Sequence, residues 1–323
     1  MARRVTQADV AARAGVSRAL VSLVLRDASN VSDRRRRVVL DAMAELGYRP
    51  NAAARHLGRR THTIGVVVQD LHYPFFAEVV DGIQSSAATH GLQVLINTGL
   101  RDPDLERAAI ETFLELRMDG IVLISPDLPD ERLLEVAGAV PMVLIGRPLA
   151  DDALDSVVTD EQRGGWLATR HLIELGHRRI LAVTADVPNA SSVGRVAGYR
   201  QALAETGLVD SARVVRARED VAAVAWPRGE HATALFGHND FIAVDAWARL
   251  VEAGGPTPAV VGYDNTHFAG LPLLSLSSVD QPRLQMGRTA VEMLTERVDG
   301  RTAPRHEVLA PTLVERRSSR PAR

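Results

Sequence analysis

The chain has neither cysteine nor lysine; all 38 of its basic residues are arginine. Without cysteine there are no disulfides and no thiolate metal sites, which fits a reducing compartment. The exclusive use of arginine reads as the codon bias of a GC-rich genome. No apolar run reaches the ~18 residues that a membrane span needs. The N-terminus MARRVTQADVAARAG also lacks the apolar centre of a signal peptide. A cytoplasmic protein with no membrane partner is the expectation that follows. Catalytic motifs are missing as well, with no GxGxxG, P-loop, HExxH or GxSxG. The ten histidines show no ligand spacing, Asp151-Asp152 read as solvated loop, and no nucleophile has a base beside it. The expectation is no catalytic residue, no metal, no cofactor and no enzyme activity.

What is present is unevenly distributed charge. Residues 1–60 carry 13 arginines against 5 acids, a local net of +8, while the remainder holds 25 against 35, a net of −10. A basic head on an acidic body is what phosphate binding requires. At 323 residues, a soft prior of ~150 residues per domain allows two or three domains, and 46% hydrophobic residues suffice for buried cores.

Within the head, Thr6 followed three residues later by Asp9 reads as a capping box opening a first helix. Val10, Ala11 and Ala14 recur at helical spacing, and Gly15 supplies a tight turn. Ser17 caps a second helix with Val21, Val24 and Leu25 on the buried stripe and Arg18, Ala19 and Ser22 facing out. Ser32 caps a third, running through Val38, Val39, Ala42 and Leu46 to Gly47. This is a helix-turn-helix unit whose second helix can enter a DNA major groove.

The run AGVSRALVSLVL, then NVSD, then RRVVLDAMAELGYRPNAAARHL resembles the head of the lactose/galactose repressor family of bacterial transcription regulators. In that family a hinge helix, beginning at an asparagine after proline, follows the helix-turn-helix at once. The resemblance extends more loosely over the rest of the chain. It implies a DNA-binding domain over residues 1–48, a hinge over 49–62 and an effector-binding, dimerising core over 63–323. Arg18 and Ala19 then occupy the positions that choose operator sequence. Arg18 forking onto a guanine is worth ~1–3 kcal/mol of discrimination; the alternative is a phosphate clamp without preference. Ser17 and Ser22 suit phosphate oxygens. Leu20 and Leu23 stand where the family more often has threonine and arginine, so Leu23 is left a thymine methyl. Arg34–Arg37 reads as a solvated, partly phosphate-facing run. Thr6, Asn30, Asn51 and Ala54 complete the implied DNA-binding set. The segment Asn51–Leu57 allows about two helical turns, marginal alone in water. The resemblance implies that it folds on operator DNA, with Leu57 wedged between base pairs in the minor groove. The alternative for Leu57 is packing on the body.

From Ile64 onward, nearly continuous apolar runs alternate with helical stretches, as expected of parallel strands covered on both faces. Candidate strands are Ile64–Val68, Gln93–Asn97, Gly120–Ile124, Met142–Ile145, Ile180–Thr184, Ala232–Phe236 and Ala259–Gly262. Candidate helices include Phe76–His90, Asp104–Arg117, Gln162–Leu175, Val193–Thr206 and Ile242–Ala253. The fold class is an all-α helix-turn-helix head on an α/β two-lobed core of parallel sheets, like periplasmic sugar-binding proteins. The resemblance implies lobe crossings near Asp160, Gln281 and Ala310, with lobe 1 at about 63–160 and 282–309 and lobe 2 at about 161–281 and 310–323. One departure stands out. Arg218–His231, containing Trp226-Pro227, is short for a crossover of at least ~10–12 residues with its helix, and Glu252–Pro258 is clipped too. The second lobe is expected to be smaller on that flank.

Ligands of open α/β sheets sit at the carboxyl ends of strands, and polar groups cluster there. Asp70 and the pair Phe75-Phe76 follow the first strand; DLHYPFF resembles the family segment whose ring covers a sugar face. Asp127 and Arg147 follow later strands. Arg195 in GRVAGYR matches the family arginine that forks onto ligand hydroxyls or a carboxylate, and Asn239-Asp240 and Asp264 match further polar contacts. Gln281 lies at a lobe crossover. Each has a plainer reading: Asp264 capping a turn, Asp240 capping the next helix (the one favoured), Arg195 pairing with an acid, one of the two phenylalanines in the core. His177 reads as structural.

Carboxylates, a guanidinium and a flat ring suit a neutral polyhydroxylated ligand. The resulting expectation is a homodimeric, nucleoid-associated repressor of a sugar-utilisation operon, reading a pseudo-palindromic operator and released by a sugar. A purine-type corepressor is the alternative. A sugar-binding module without DNA binding leaves the basic head unexplained, and an α/β enzyme leaves both head and cleft unexplained. No heptad tail follows Pro311, so no C-terminal coiled-coil tetramer is expected.

Overall fold

The computed structural model describes residues 5–26, 28–48, 60–149, 153–224, 230–254 and 256–319. The chain divides into two units, Met1–His62 and Thr63–Arg323.

In the first unit, Thr6 and Asp9 form the expected reciprocal box at the start of α1 (Gln7–Ala14): Asp9 N donates to Thr6 Oγ1 at 3.4 Å and Thr6 N to Asp9 Oδ2 at 2.8 Å. Gly15 ends α1 at φ 63°, a left-handed conformation that glycine adopts without steric penalty. Ser17 then caps α2 (Arg18–Leu25) through Leu20 N at 3.2 Å. Ser32 holds the N-cap position of α3 (Asp33–Glu45), but its side chain makes no capping bond. Val10, Ala11, Val21, Val24, Val31, Val39 and Ala42 close the core, with Leu25 and Leu46 packed at its margin. Val38 of α3 is 42% exposed; it lies one residue, about 100° of helix, from the buried Val39.

The second unit contains two six-stranded sheets. The first is built from β1 (Thr63–Val68), β2 (Gln93–Thr98), β3 (Gly120–Ile124), β4 (Met142–Ile145), β5 (Asp155–Thr159) and β11 (His306–Leu309), in the order β11-β5-β4-β3-β1-β2 and all parallel. Helices α4 (Pro74–Thr89) and α10 (Arg283–Val298) cover one face, α5 (Pro103–Glu115) and α6 (Asp130–Ala137) the other. The unbroken apolar runs follow from this. Ile64, Val66 and Val68 pack with α4 and α10, whereas Val67 packs with α5.

The second sheet holds β6 (Ile180–Thr184), β7 (Arg213–Arg216), β8 (Ala234–Gly237), β9 (Ala259–Tyr263), β10 (Ser277–Asp280) and β12 (Thr312–Val314), in the order β12-β10-β9-β8-β6-β7. Helices α7 (Glu161–Glu174) and α8 (Ala190–Glu205) lie on one face and α9 (Asp240–Glu252) on the other. An all-parallel arrangement fails at one edge, because β12 runs antiparallel to β10. The chain returns to this sheet only two residues after β11, too short for a crossover helix. It leaves the first sheet between Thr159 and Glu161, returns through Gln281-Pro282 into α10, and leaves again at Ala310-Pro311. Between β7 and β8 the described residues hold a single 3-10 turn, Val221–Ala223, where a full crossover would carry a helix. Trp226-Pro227 and Asp151-Asp152 lie outside the described residues.

Candidate functional site

The head presents α2. Arg18 and Ala19 are exposed on its first turn; Thr6 and Asn30 are exposed and Ser22 is half-buried. The Ser17 hydroxyl is committed to its own helix cap. Leu20 and Leu23 are half-buried against the head's core. In the arginine run, Arg36 donates to Ala28 O at 2.9 Å and braces the turn before α3, while Arg34, Arg35 and Arg37 are exposed. Asn51, Ala54 and Leu57 lie outside the described residues.

In the second unit a cleft opens where the carboxyl ends of both sheets converge. Tyr73, Phe75 and Phe76 after β1, Asp127 after β3 and Arg147 after β4 line one side. Glu161 after β5, Arg195 on α8, His238 and Asn239 after β8, Asp264 after β9 and Gln281 after β10 line the other. Helix α8 carries Arg195 into the cleft because its N-cap Asn189, with Ser192, forms a capping box that starts the helix at the rim.

Arg195 is the electrostatic centre. Its Nε and Nη2 grip Glu161 at 2.7 and 3.1 Å, its Nη1 donates to His238 O at 2.5 Å, and its guanidinium carbon lies 3.7 Å from the Tyr263 ring centre. Burial opposes the charge, but Glu161 and then Asp264 more than offset it and raise the arginine's pKa. Three of the five guanidinium N–H groups are thus used by protein in hydrogen bonds. Asp264 Oδ1 lies 3.7 Å from Arg195 Nη2 and accepts from Gln281 Nε2 at 2.5 Å; Thr159 Oγ1 donates to Gln281 Oε1 at 2.7 Å. Burial, and then the charge of Arg195, hold His238 well below the ordinary histidine range, so it is neutral near pH 7.

Several expected site residues have other work. Asp240 does not cap α9: Asn239 does, accepting from Ile242 N at 2.8 Å. The Asp240 carboxylate instead ties three segments together, accepting from Thr266 N and Oγ1 at 2.7 Å each and from Ser278 Oγ at 2.6 Å. Asp70 is outside the cleft lining; it accepts from His72 N at 2.8 Å in an Asx turn of its own loop. Arg147 reaches the cleft wall, but its guanidinium binds Pro126 O at 3.0 Å, Leu128 O at 2.6 Å and the Asp130 carboxylate. Phe75 and Phe76 both belong to the lobe's core and both face the cleft, edge to face at 5.4 Å. On α5, across the sheet from them, the buried Glu106 accepts from Asp127 N at 2.9 Å and Gln69 Nε2 at 3.0 Å, fixing the Asp127 loop. Glu161 and Tyr73 were not anticipated. Glu161 sits at the first turn of a helix, where an acid usually reads as dipole support; only its pairing across 34 residues shows its role.

A larger cavity of about 790 Å³ borders His177, Thr233, Trp247, Pro258 and Leu273. It lies at the amino ends of β6, β8 and β9, beside the clipped segment before β9, opposite the ends where ligands of such sheets bind. The cleft's own free volume is about 80 Å³. Chemistry, not size, separates the two: the buried charges converge on the smaller one.

Comparison with known proteins matches both units. A family model described as "Bacterial regulatory proteins, lacI family" matches residues 6–51, and one described as "Periplasmic binding proteins and sugar binding domain of LacI family" matches residues 61–315. The chain is 34% identical over 323 residues to the HTH-type transcriptional regulator GalR of Escherichia coli K12, covering 96% of this chain and 94% of that protein. It is 32% identical over 330 residues to the HTH-type transcriptional repressor PurR of Erwinia tasmaniensis, covering 96% and 95%. The crystal structure of the Lac repressor dimer bound to operator and the anti-inducer ONPF is similar over 98% of this chain and 100% of that one, with 28% identity and a TM-score of 0.84.

Proposed function

This chain belongs to the LacI family of bacterial regulatory proteins, and on that premise we propose that it is a homodimeric repressor that reads a pseudo-palindromic operator and is released by a sugar. The observation that carries this reading is the cleft, where Glu161, Arg195 and Asp264 are sunk beside the Phe75-Phe76 wall in a chain whose first 60 residues are strongly basic. Carboxylates accept from sugar hydroxyls, the guanidinium donates, and a ring face covers sugar C–H groups. Asp127, Arg147 and Asn239 add polar groups on the rim.

On the DNA side, Arg18 and Ala19 read bases, Ser22 meets phosphate, and the hinge residues Asn51, Ala54 and Leu57 enter the minor groove. Ligand in the cleft shifts the lobes that carry the hinges and so changes the free energy of hinge folding on DNA. A coupling of about 1–3 kcal/mol is enough for such a switch. The test is operator selection from genomic fragments with purified full-length protein at moderate salt, followed by a thermal-shift screen of monosaccharides, disaccharides and nucleobases. The expected outcome is one preferred fragment, released by the compound that raises the melting temperature. No preference over bulk competitor with any compound would end the reading; release by nothing but strengthening by a nucleobase would replace the sugar with a corepressor.

A further inference from the structure

Tyr73 stands at the N-cap of α4, a position usually given to serine, threonine, aspartate or asparagine, and its side chain makes no capping bond. Its ring crosses the cleft instead. The phenol donates to Asp264 Oδ2, on the loop after β9 of the other lobe, and the residue is only 6% exposed. The ring centre lies 5.0 Å from that of Phe241 on α9, which stacks on Phe268 at 4.7 Å with an interplanar angle of 8°. With Gln281 on Oδ1, both carboxylate oxygens of Asp264 are engaged by protein, and Asp264 is 3% exposed. The free space left, about 80 Å³, is far below the ~300–1,000 Å³ of ligand sites. Burial, and then the charges of Asp264 and Asp240, raise the phenol's pKa well above its ordinary value, so it stays a donor.

We propose that Tyr73 is a cross-lobe clasp that occupies the effector's place on Asp264. The phenol donates to Oδ2 and holds the lobes together. An effector that presents an O–H or N–H donor takes over that oxygen, exchanging one charge-assisted hydrogen bond for another, and the tyrosine ring swings out to make room. Tyr73 is thereby an internal competitor that sets how good a donor the effector must be. The clasp itself needs no ligand; the competition rests on the cleft being the effector site.

The absence of cysteine allows a direct test. Spin labels on Glu131→Cys of α6 and Val187→Cys before α8, both exposed and on opposite lobes, report the lobe-to-lobe distance in the ligand-free full chain. Introducing Tyr73→Phe, which keeps the ring and removes the donor, should lengthen and broaden that distance distribution while unfolding stays cooperative. An unchanged distribution in the folded variant would overturn the clasp. With any monosaccharide or disaccharide that raises the melting temperature of the parent chain, Tyr73→Phe should bind several-fold more tightly. Weaker binding also overturns the proposal, because it makes the phenol a ligand contact rather than a competitor. If neither a monosaccharide nor a disaccharide binds, the sugar reading fails, and the ligand-free distances still decide the clasp.

Discussion

Burial, and then the charge of Asp264, push the Asp240 carboxyl up to about 7, against hydrogen bonds from Ser278 and Thr266 that favour its ionised form. In the unfolded chain the same group titrates near its ordinary 3.8. Between those two values the folded state binds the extra proton, so the stability Asp240 contributes declines as pH rises from about 4 to about 7. His238 acts in the opposite sense: held neutral by burial and Arg195, it costs stability as pH falls below the ordinary histidine range. Asp240→Asn retains an acceptor for Thr266 and a donor for Ser278. Its melting temperature, compared with the parent chain's at each pH so that His238 cancels, should gain from pH 5 to about 7 and level off above that; a gap independent of pH would contradict the raised carboxyl. At the other end of the chain, the exposed Arg18 is expected to read a guanine. Arg18→Ala should then lower discrimination at one operator position by about 1–3 kcal/mol with little change in salt slope, measured by gel shift on single-base operator variants. Equal loss on every sequence would make it a phosphate clamp. Residues acting on near neighbours were legible at this scale, as Thr6 with Asp9 shows. Asn239 and Asp240 were not: two adjacent cap-type residues look alike until Thr266 and Ser278, 26 and 38 positions away, claim one of them.

Helix pairing is set by missing side chains. A Cβ on Gly198 of α8 would lie 1.9 Å from Gln162 O, and one on Gly165 of α7 2.1 Å from Arg195 O. The α7 and α8 backbones therefore touch, which sets Glu161 and Arg195 within reach of one another. Gly198→Ala should cost on the order of 1–3 kcal/mol by overpacking, seen as a lower urea midpoint with an unchanged slope; an undiminished midpoint would show that the helices can part without loss. Among the strands, the long apolar ones were readable, and Gly120–Ile124, Met142–Ile145 and Ile180–Thr184 have the expected bounds. DSVVT, SSVD, HEVL and TLV were not anticipated as strands. In DSVVT and SSVD polar residues are buried but satisfied from afar, Asp155 by Arg297, Arg301 and the Arg305 backbone, and Ser277 by Ser318 and Arg316. Such partners lie 39 to 150 residues away, beyond any local pattern. HEVL and TLV, by contrast, are short edge strands whose polar residues are exposed or half-buried.

For the molecule as a whole, charge is partitioned rather than balanced, +8 over residues 1–60 against −10 over the rest. Operator binding should weaken steeply with salt, with a slope of log K on log salt of roughly −0.9 per phosphate neutralised. Binding of a neutral sugar in the cleft should hardly respond to salt. Gel shifts and ligand titrations over the same range of potassium chloride separate the two, and a salt-insensitive operator affinity would deny the head its role. The ~1–3 kcal/mol linking the two sites should then survive at every salt concentration.

The order of residues was enough, without coordinates, to declare a capped helix-turn-helix with a glycine turn, a basic head, a family membership and a run of doubly covered parallel strands. These are properties of neighbours a few positions apart, or of composition summed over a segment. Only the folded chain decided that Asn239 caps while Asp240 fastens, that Arg147 is bound to the neighbouring loop after β3, that Glu161 pairs with Arg195, and that Tyr73 reaches Asp264 across 191 residues. A polar side chain takes the partner that burial leaves within hydrogen-bonding distance, and that distance is set by the crossings of the chain between its two sheets.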